Sequence, residues 1–393
     1  MKNVIQPAIW LMVIIVGLPQ LSETAYTPSL PDIAKFMQVE ESWVEYTLTI
    51  YLFGFAIGTL FFGNLSDAFG RKPCLLAGFL VYVIGCILCF FSESIQILLI
   101  SRFIQGFGGS VGSVLGQAIC RDAFSGKERG KVYSTIGSTL AFAPAIGPII
   151  GGFIDQSLGW SYIFLLLIIL GIIVLFCSYH KLVETHDTHK RSRIKIRTIA
   201  ERMYKDHRVL AFGMLVACCN GIGFSYYAEG SFYLIDLLDL TPSIYGMSFL
   251  GIAFFWGFGG YLSKKMHDNH LSINILRIGV MITLIVTIVF AAATLIGYFL
   301  NFTPTYFLTL TLFSMWAMVL GMGMIIPNSL SLALENYQDA VGTATSLFGF
   351  FYYTIISGFT LGMGALHNDT LLPMPLYFCT ISILMWIISR MIK

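Results

Sequence analysis

Charged residues are scarce in this chain of 393 residues. Asp, Glu, Lys and Arg make up 11% of it, whereas soluble domains carry about 25%. Hydrophobic residues make up 56%, and the mean hydropathy is +0.79. Such a composition cannot cover a surface that faces water on all sides. It therefore excludes an ordinary soluble domain and indicates a protein that crosses a membrane many times.

The chain also lacks clustered cysteines and an excess of charge of one sign. Its eight cysteines are scattered, and neither Cys86-x-x-Cys89 nor Cys218-Cys219 has a second ligand pair nearby. We therefore expect thiols that pack between helices, and neither a metal site nor a disulfide framework. The formal net charge is +2, which gives no argument for a nucleic-acid partner.

Motifs typical of enzymes are not evident either. The sequence shows no paired carboxylates with a set of metal ligands, no nucleophile elbow and no phosphate-binding glycine loop. We predict that the chain is not an enzyme and needs no cofactor. A membrane enzyme or a sensor is kept as the alternative from another class of protein.

Long apolar runs, by contrast, are abundant. A membrane-spanning helix needs about 20 apolar residues, and about twelve such runs occur. The first run has no A-x-A-like cleavage site, so we expect it to be retained as the first helix. The longest polar stretch separates six runs from six, which predicts bundles at 1–180 and 208–393 joined by a loop at 181–207. The runs lie near residues 8–30, 43–63, 73–92, 96–120, 130–153, 160–180, 208–233, 243–262, 272–297, 303–330, 340–365 and 371–390.

The two sets of six runs look like a divergent repeat. Gly259-Gly-Tyr-Leu-Ser-Lys264-Lys265 follows the eighth run where a similar glycine-containing basic loop follows the second, and Glu23 and Glu229 fall at matching depths of runs one and seven. Repeats of this kind build membrane proteins whose halves face each other across a central cavity. We therefore predict an all-α membrane protein made of two six-helix bundles.

Basic residues are distributed unevenly over the two sides of this arrangement. Of the 23 Lys and Arg residues, 21 fall in loops or ends on one side, Lys35 falls on the other, and Arg102 falls inside a run. Positive residues favour the cytoplasmic side, so we predict that both termini and the loop 181–207 are cytoplasmic. The basic run from Lys190 to Arg197 suggests nucleic acid or lipid, and we favour anionic lipid head groups.

The loop after the second run is the most informative stretch. It reads Gly63-Asn-Leu-Ser-Asp67-Ala-Phe-Gly70-Arg71-Lys72. Gly63 allows two helices to approach closely, Asp67 can accept hydrogen bonds, and Gly70 permits a sharp turn. Arg71 and Lys72 keep the turn on the cytoplasmic side. We predict a tight cytoplasmic hinge here, and the alternative is an ordinary helical hairpin loop.

Three ionisable residues fall inside predicted spans, namely Glu23, Arg102 and Glu229. Each costs roughly 2.5–3.5 kcal/mol to insert, and such residues persist where they face a cavity or a partner. Glu45 and Glu335 lie nearer the ends of their runs, so contact with solvent is the simpler interpretation for them.

Glu23 is the first candidate for proton coupling and substrate binding. Tyr26 lies three residues further on, so both side chains share one helix face, and we predict that Tyr26 contacts the substrate too. A carboxyl group in a low-dielectric cavity is more easily kept protonated than one in water. Glu23 would therefore load and release protons, and a cationic substrate would compete for it. The alternative is a glutamate that forms hydrogen bonds for structure alone.

Glu229 is the second candidate for both roles. It lies in Tyr226-Tyr227-Ala-Glu229-Gly-Ser-Phe-Tyr233, among four aromatic rings. A carboxylate beside aromatic faces suits an organic cation, so we predict that Tyr226, Tyr227 and Glu229 contact the substrate. The alternative for the rings is plain packing or anchoring at the membrane interface.

Arg102 opens the stretch Arg102-Phe-Ile-Gln105-Gly106. Residues three apart share a helix face, so Arg102 and Gln105 lie on one stripe. We predict that Arg102 tunes a nearby carboxylate during proton coupling and that Gln105 contacts the substrate. The alternative for Arg102 is a structural pair or hydrogen bonds to backbone carbonyls.

Pro144, Pro148 and Gly151 follow one another at spacings of four and three residues in the fifth run. Such a stripe of small residues and prolines permits a tight helix crossing and a kink. It indicates either a conformational role or helix packing alone.

Together these motifs resemble those of the major facilitator superfamily. The loop from Gly63 to Lys72 resembles the signature loop after helix 2 of that family, which implies a conformational gate at this loop. Arg102-x-x-Gln105-Gly resembles the family's helix-4 motif. Gly147-Pro148-Ile-Ile-Gly151-Gly152 resembles the helix-5 motif associated with antiporters.

Three further stretches resemble drug:proton antiporters of the bicyclomycin/chloramphenicol (Bcr/CflA) type. They are Tyr26-Thr-Pro28-Ser-Leu-Pro31, Val44-Glu-Tyr-Thr47-Leu and Ile119-Cys-Arg121-Asp122. The chain departs from that type in two places. The family's usual acidic residue falls at Thr24, with Glu23 one position earlier, and the family generally has no acid where Glu229 stands.

The resemblance implies a major facilitator fold with about 12 transmembrane helices in a bacterial inner membrane. It implies a secondary active transporter, functional as a monomer, that exports small organic molecules such as drugs by proton antiport with alternating access. Its partners would be the substrate, protons and the lipid bilayer, and the proton gradient would drive it in place of a cofactor. Transport of a native metabolite or siderophore, in either direction, is the alternative within the same class.

Overall fold

The computed structural model describes residues 6–124, 126–186 and 196–392. The described part of the chain is almost entirely helical and contains no strand. The helices are α1 (Ile9–Thr24), α2 (Leu30–Met37), α3 (Glu41–Phe69), α4 (Arg71–Phe90), α5 (Ile95–Ala123), α6 (Gly126–Leu158), α7 (Ser161–Lys181), α8 (Ile196–Lys205), α9 (His207–Ser231), α10 (Pro242–Met266), α11 (Ser272–Phe299), α12 (Pro304–Ala333), α13 (Val341–Leu366) and α14 (Pro373–Met391).

The predicted membrane spans are confirmed. Eleven segments of the described chain form helices long and apolar enough to cross a membrane. The remaining predicted run, 130–153, lies within α6, which is 33 residues long. The architecture is therefore that of an all-α membrane protein with about twelve spans.

The first span differs from the continuous helix that the apolar run predicts. It consists of α1, a 3-10 turn at Thr27–Ser29, and α2, which continues to Met37. Pro28 and Pro31 stand at the starts of the two later segments, where a residue without an N–H group is tolerated best. The hydroxyl of Thr27 donates a hydrogen bond of 2.9 Å to the carbonyl of Thr24, which satisfies one acceptor at the break.

The stretch predicted as a central loop contains the short helix α8. Ile199 and Met203 of this helix are buried, whereas Tyr204 is exposed. The buried face packs against α9 and α13. The basic residues Lys190, Arg191, Arg193 and Lys195 lie outside the described residues.

Helices α1–α7 pack with one another, and so do α9–α14. Each set encloses its own cluster of buried apolar side chains, so we call them the first and second bundle. The bundles meet along two lines, α3 against α13 and α6 against α10. Glycines permit these contacts, because a Cβ at Gly152 would collide with the carbonyl of Pro242, and one at Gly246 with that of Pro148.

All spanning helices run between two ends of the molecule. We call the end that holds Gly70 and α8 the basic end. The opposite end holds Glu41 and His367, and we call it the acidic end.

Candidate functional site

A cavity of about 280 Å³ lies between the two bundles. Four helices of the first bundle (α1, α3, α5 and α6) and four of the second (α9, α10, α12 and α13) contribute to its wall. Most of the lining is aromatic or aliphatic, with a few amides and hydroxyls. The wall includes Gln20, Phe55, Gln117, Pro144, Asn220, Phe224, Tyr226, Tyr227, Trp256, Met315, Met322, Tyr352 and Tyr353. A site of this composition suits a small, largely apolar organic molecule.

The structure places only some of the predicted substrate residues in this wall. Tyr226 and Tyr227 line the cavity, and Tyr227 stacks on Phe249 with ring centroids 5.0 Å apart. Glu23, Tyr26, Gln105 and Glu229 do not line it.

Sequence analysis missed two prominent wall residues, Tyr352 and Tyr353. Their ring centroids are 4.8 Å apart, and Tyr353 lies 4.6 Å from the ring of Phe55 across the bundle interface. The signal that would have found them is the run Phe350-Phe351-Tyr352-Tyr353 in the middle of the eleventh span.

Glu23 lies fully buried beside the cavity. Neither of its carboxylate oxygens has a hydrogen-bond partner in the part of the chain that the structure describes. Its charge interacts with Arg102 on α5 and with the phenol groups of Tyr352 and Tyr353, which line the cavity. A buried carboxylate without hydrogen bonds is costly as an anion, so this group is suited to holding a proton.

Arg102 is fully buried and stacks between two aromatic rings. Its guanidinium carbon lies 3.9 Å from the ring centroid of Tyr26 and 4.2 Å from that of Tyr51. Tyr26 is held in place by a hydrogen bond of 3.1 Å between its hydroxyl and that of Thr47. Cation–π contacts of this kind are worth about 2 kcal/mol or more when desolvated.

Gln105 positions Arg102 and lies away from the cavity wall. Its Oε1 accepts a hydrogen bond from Nη1 of Arg102. Its Nε2 donates hydrogen bonds of 3.0 Å to the hydroxyl of Ser22 and 3.1 Å to the sulfur of Cys86. Nε and Nη2 of Arg102 have no hydrogen-bond partner. Glu23, Tyr26, Arg102 and Gln105 thus belong to one buried network within the first bundle, which we call the Glu23 network.

Glu229 lies at the acidic end, in a cluster with His367. Its Oε2 lies 2.9 Å from Nδ1 of His367, just after the end of α13. Nε2 of the same ring lies 2.9 Å from Glu41 on α3 and 3.2 Å from Asp369. His367 therefore connects the second bundle, which holds it, to the first.

Burial lowers the pKa of His367, but its contacts with Glu229 and Glu41 more than offset this and raise the pKa to about 10. The ring is consequently a cation at neutral pH. Sequence analysis missed His367, because nothing in its local sequence indicates a partner 138 residues away.

Glu45 joins this cluster, and the expectation that it contacts solvent is wrong. The residue is fully buried, and its Oε1 lies 3.7 Å from Nδ1 of His367. Both of its carboxylate oxygens lack a hydrogen-bond partner. Glu335 is exposed, as expected. We call Glu41, Glu45, Glu229, His367 and Asp369 the acidic-end cluster.

The signature loop forms a compact ion-pair network at the basic end. Arg71 is buried and lies 2.7 Å from Asp67 and 3.0 Å from Asp122. Gly70 has a φ of 105°, which only glycine adopts without strain. This backbone turns the chain from α3 into α4 and brings Arg71 back over Asp67.

Residues outside the loop complete this network. Glu184 accepts hydrogen bonds from the backbone N–H groups of Arg71 and Lys72 at the start of α4, a favourable place for a carboxylate. Nζ of Lys72 donates a hydrogen bond of 2.8 Å to the carbonyl of Tyr179. Gly63 faces the second bundle, because a Cβ there would collide with Ser346 on α13. Sequence analysis did not identify Glu184, which follows α7 far along the chain.

The glycines and prolines of α6 lie where the first span, α6 and α10 meet. A Cβ at Gly147 would collide with Thr24, and one at Gly151 with the carbonyl of Ala25. Pro144 faces the cavity, and its carbonyl accepts a 3.4 Å hydrogen bond from Tyr227. The stripe therefore joins the broken first span, the cavity wall and the bundle interface.

A membrane protein built of two helical bundles around an apolar central cavity has the architecture of a transporter. The family model described as "Major Facilitator Superfamily" matches residues 12–360 of this chain. The chain therefore belongs to the major facilitator superfamily. This is a family of transporters, so the prediction that the chain is not an enzyme is confirmed.

Relatives cover nearly the whole chain. An uncharacterized transporter of Rickettsia bellii is 34% identical over 390 residues, which are 98% of this chain and 96% of that protein. A bicyclomycin resistance protein homolog of Haemophilus influenzae is 28% identical over 91% of this chain and 88% of its own length. The resemblance to the bicyclomycin type is thereby confirmed.

A solved structure shows the same fold. The xylose transporter XylE of E. coli, in a partially occluded inward open conformation, superposes with a TM-score of 0.74. The match covers 98% of this chain and 97% of that one at 15% identity, so it supports the fold alone.

Proposed function

We propose that this transporter exports small organic molecules, including drugs, by proton antiport with alternating access. The observation that carries the proposal is the position of Glu23, a buried carboxyl group without hydrogen-bond partners that interacts both with Arg102 and with tyrosines of the cavity wall. The relative named for bicyclomycin resistance supports drugs as the substrate class.

Substrate would bind in the cavity between the bundles. Tyr227, Tyr352 and Tyr353 offer flat apolar faces, and Gln117 and Asn220 offer hydrogen-bonding groups. Such a wall binds molecules of varied shape through area and stacking, and leaves orientation to a few polar contacts.

Proton and substrate would compete through the Glu23 network. With Glu23 protonated, Arg102 loses a nearby negative charge and is held by its two tyrosines and Gln105. With Glu23 ionised, the carboxylate attracts Arg102 or a cationic substrate in the cavity. One proton moving down a membrane potential of 100 mV supplies about 2.3 kcal/mol for this cycle.

Alternating access would be controlled at both ends. At the acidic end, contacts join the bundles directly: Lys35 to Asp236 at 2.7 Å, the hydroxyl of Thr49 to that of Thr360 at 3.0 Å, and His367 to Glu41. At the basic end, the pairs of Arg71 hold α3, α4 and α5 of the first bundle together, so that they move as one body past α13.

The distribution of basic residues supports an orientation with the basic end and both termini in the cytoplasm. Together with the bacterial relatives, it supports the inner membrane as the location. We propose a monomer as the working unit, because one chain encloses the whole cavity.

Transport by purified protein in sealed vesicles tests the proposal. We expect a drug to accumulate in vesicles whose lumen is acidic relative to the outside, because protons leave as the drug enters, and a protonophore to abolish the accumulation. Accumulation that requires an acidic exterior would show symport and contradict antiport. Activity restricted to a metabolite or siderophore would contradict the drug as substrate.

A further inference from the structure

We propose that Glu45, Glu229 and His367 form a binding site for a divalent first-row transition metal ion such as Zn²⁺, at the acidic end of the bundle interface. Its ligands would be two glutamates and a histidine from three distant parts of the chain, a set unrelated to the scattered cysteines.

The geometry of the three side chains fits such an ion. One ligand atom from each residue can be chosen so that all three lie within 4.8 Å of one another. Nδ1 of His367 is 2.9 Å from Glu229 and 3.7 Å from Glu45. Zn²⁺ binds imidazole nitrogen and carboxylate oxygen at about 2.0–2.2 Å in a tetrahedron, which sets ligand atoms roughly 3.4 Å apart. The two distances from Nδ1 of His367, 2.9 Å and 3.7 Å, lie on either side of that value.

Glu45 provides an independent indication of a ligand. It is fully buried, and apart from the 3.7 Å contact of Oε1 with Nδ1 of His367 neither oxygen has a hydrogen-bond partner among the described residues. Buried carboxylates are normally paired, hydrogen-bonded or bound to metal. A metal ion between Glu45, Glu229 and His367 would satisfy Glu45 directly.

The surroundings of His367 match those of metal-binding histidines. Such a histidine usually donates its other ring N–H to a carboxylate, which fixes the tautomer. Nε2 of His367 lies 2.9 Å from Glu41 and 3.2 Å from Asp369, so Nδ1, which faces Glu229 and Glu45, is the nitrogen that would bind metal. An ion at Nδ1 would take the place of any proton there, and the carboxyl groups of Glu45 and Glu229 lie where they would offset its double charge.

The ligand types also set the selectivity. An imidazole with two carboxylates suits Zn²⁺ and its first-row neighbours, whereas Mg²⁺ prefers oxygen ligands and keeps its water. Glu45 belongs to the first bundle, and Glu229 and His367 belong to the second. A bound ion would therefore tie the bundles together at the acidic end and inhibit transport.

Binding of Zn²⁺ to the purified full-length protein, measured by competition with a chromogenic chelator, is the first test. We expect one ion per chain and an affinity at least tenfold lower in His367→Ala and in Glu45→Gln. The matched controls are His267→Ala, a histidine at the basic end bonded to Ser263 and Ser272, and Glu93→Gln, an exposed glutamate at the acidic end. Both controls should bind as the wild type does. Mg²⁺ should not compete.

X-ray absorption at the zinc edge keeps the test decisive if a variant fails to fold. The wild type should show nitrogen and oxygen ligands without sulfur. The proposed site would be overturned if Zn²⁺ did not bind or if the spectrum showed sulfur ligands. It would also be overturned if binding were lost in His267→Ala but not in His367→Ala. These measurements need no transported substrate, so their outcome does not depend on whether the proposed export function is correct. Inhibition of flux by Zn²⁺ that persists in His367→Ala would overturn the inhibitory role.

Discussion

Two buried glutamates, Glu23 in α1 and Glu229 in α9, fall at matching points of the first and seventh predicted spans but have different surroundings. Glu23 has no hydrogen-bond partner, and its charge interacts with Arg102 of its own bundle and with the cavity tyrosines. Glu229 is paired with His367 at 2.9 Å. His367 in turn contacts Glu41 of the other bundle.

This difference separates two residues to which the sequence assigns the same two roles, proton coupling and substrate binding. A carboxyl group without a fixed partner can gain and lose a proton without breaking a structural contact. A carboxylate fixed to a cationic histidine is part of the contact that closes the acidic end. We therefore assign proton coupling to Glu23 and closure of the acidic end to Glu229, and the following predictions test this division.

Glu23→Gln should have the largest effect. The amide keeps the shape of the side chain but cannot titrate, so drug accumulation driven by a pH gradient should fall to the level of vesicles without protein. Exchange of labelled for unlabelled drug, which needs no net proton movement, should persist and serves as the control for an intact cavity. Gradient-driven accumulation at the wild-type rate would refute the assignment.

Arg102→Gln should have the second-largest effect, because it should weaken both proton coupling and the stability of the fold. It removes the guanidinium that stacks on Tyr26 and Tyr51, contacts worth about 2 kcal/mol or more when desolvated. Arg102→Lys keeps the charge but loses the planar stack, so it should retain more coupling than Arg102→Gln. Gradient-driven flux and thermal unfolding in detergent measure the two effects. Equal coupling in the two variants would show that the charge of residue 102 is unimportant.

Arg71→Ala and Asp67→Asn should slow transport of drugs of every charge without preventing insertion. Removing Arg71 leaves Asp67 and Asp122 without their shared cation, at a cost of at most about 3 kcal/mol because both carboxylates retain some exposure. Lys72→Ala is the matched control, since its ammonium contacts the carbonyl and the ring of Tyr179 at an exposed position and not Asp67 or Asp122. Flux in well-folded variants decides the matter, and wild-type rates for both Arg71→Ala and Asp67→Asn would contradict a gate.

Glu229→Gln should have the smallest effect on substrate choice. Because Glu229 lies outside the cavity wall, binding of a cationic and of a neutral drug should change by the same factor. If Glu229 instead contacts the substrate, as the sequence predicts, only the cationic drug should lose binding affinity. Paired affinity measurements on one drug of each kind distinguish the two, with the cavity variant Tyr227→Phe as the comparison.

Hydropathy and short motifs were enough to predict the spans, the two bundles and the buried depth of Glu23 and Arg102. These features depend on local composition and on the cost of placing charge in lipid. The same information placed Gln105 and Tyr26 at the substrate, whereas the structure uses both to hold Arg102. A shared helix stripe identifies which residues lie together but not which helix they face.

Contacts between distant parts of the chain could not be predicted. Glu184 caps α4 from beyond α7, and His367 meets Glu41 and Glu229 from the end of α13. No periodicity or motif in a single sequence links such positions. Glu45 illustrates the consequence: its place near a helix end suggested solvent, but the second bundle covers it.

Substrate-induced proton release from the detergent-solubilised protein tests the central assignment most directly. A drug that displaces the proton of Glu23 should acidify a weakly buffered solution of the wild type and of Glu229→Gln, and should cause no release from Glu23→Gln. Release that survives in Glu23→Gln and disappears in Glu229→Gln would contradict the division of roles between the two glutamates.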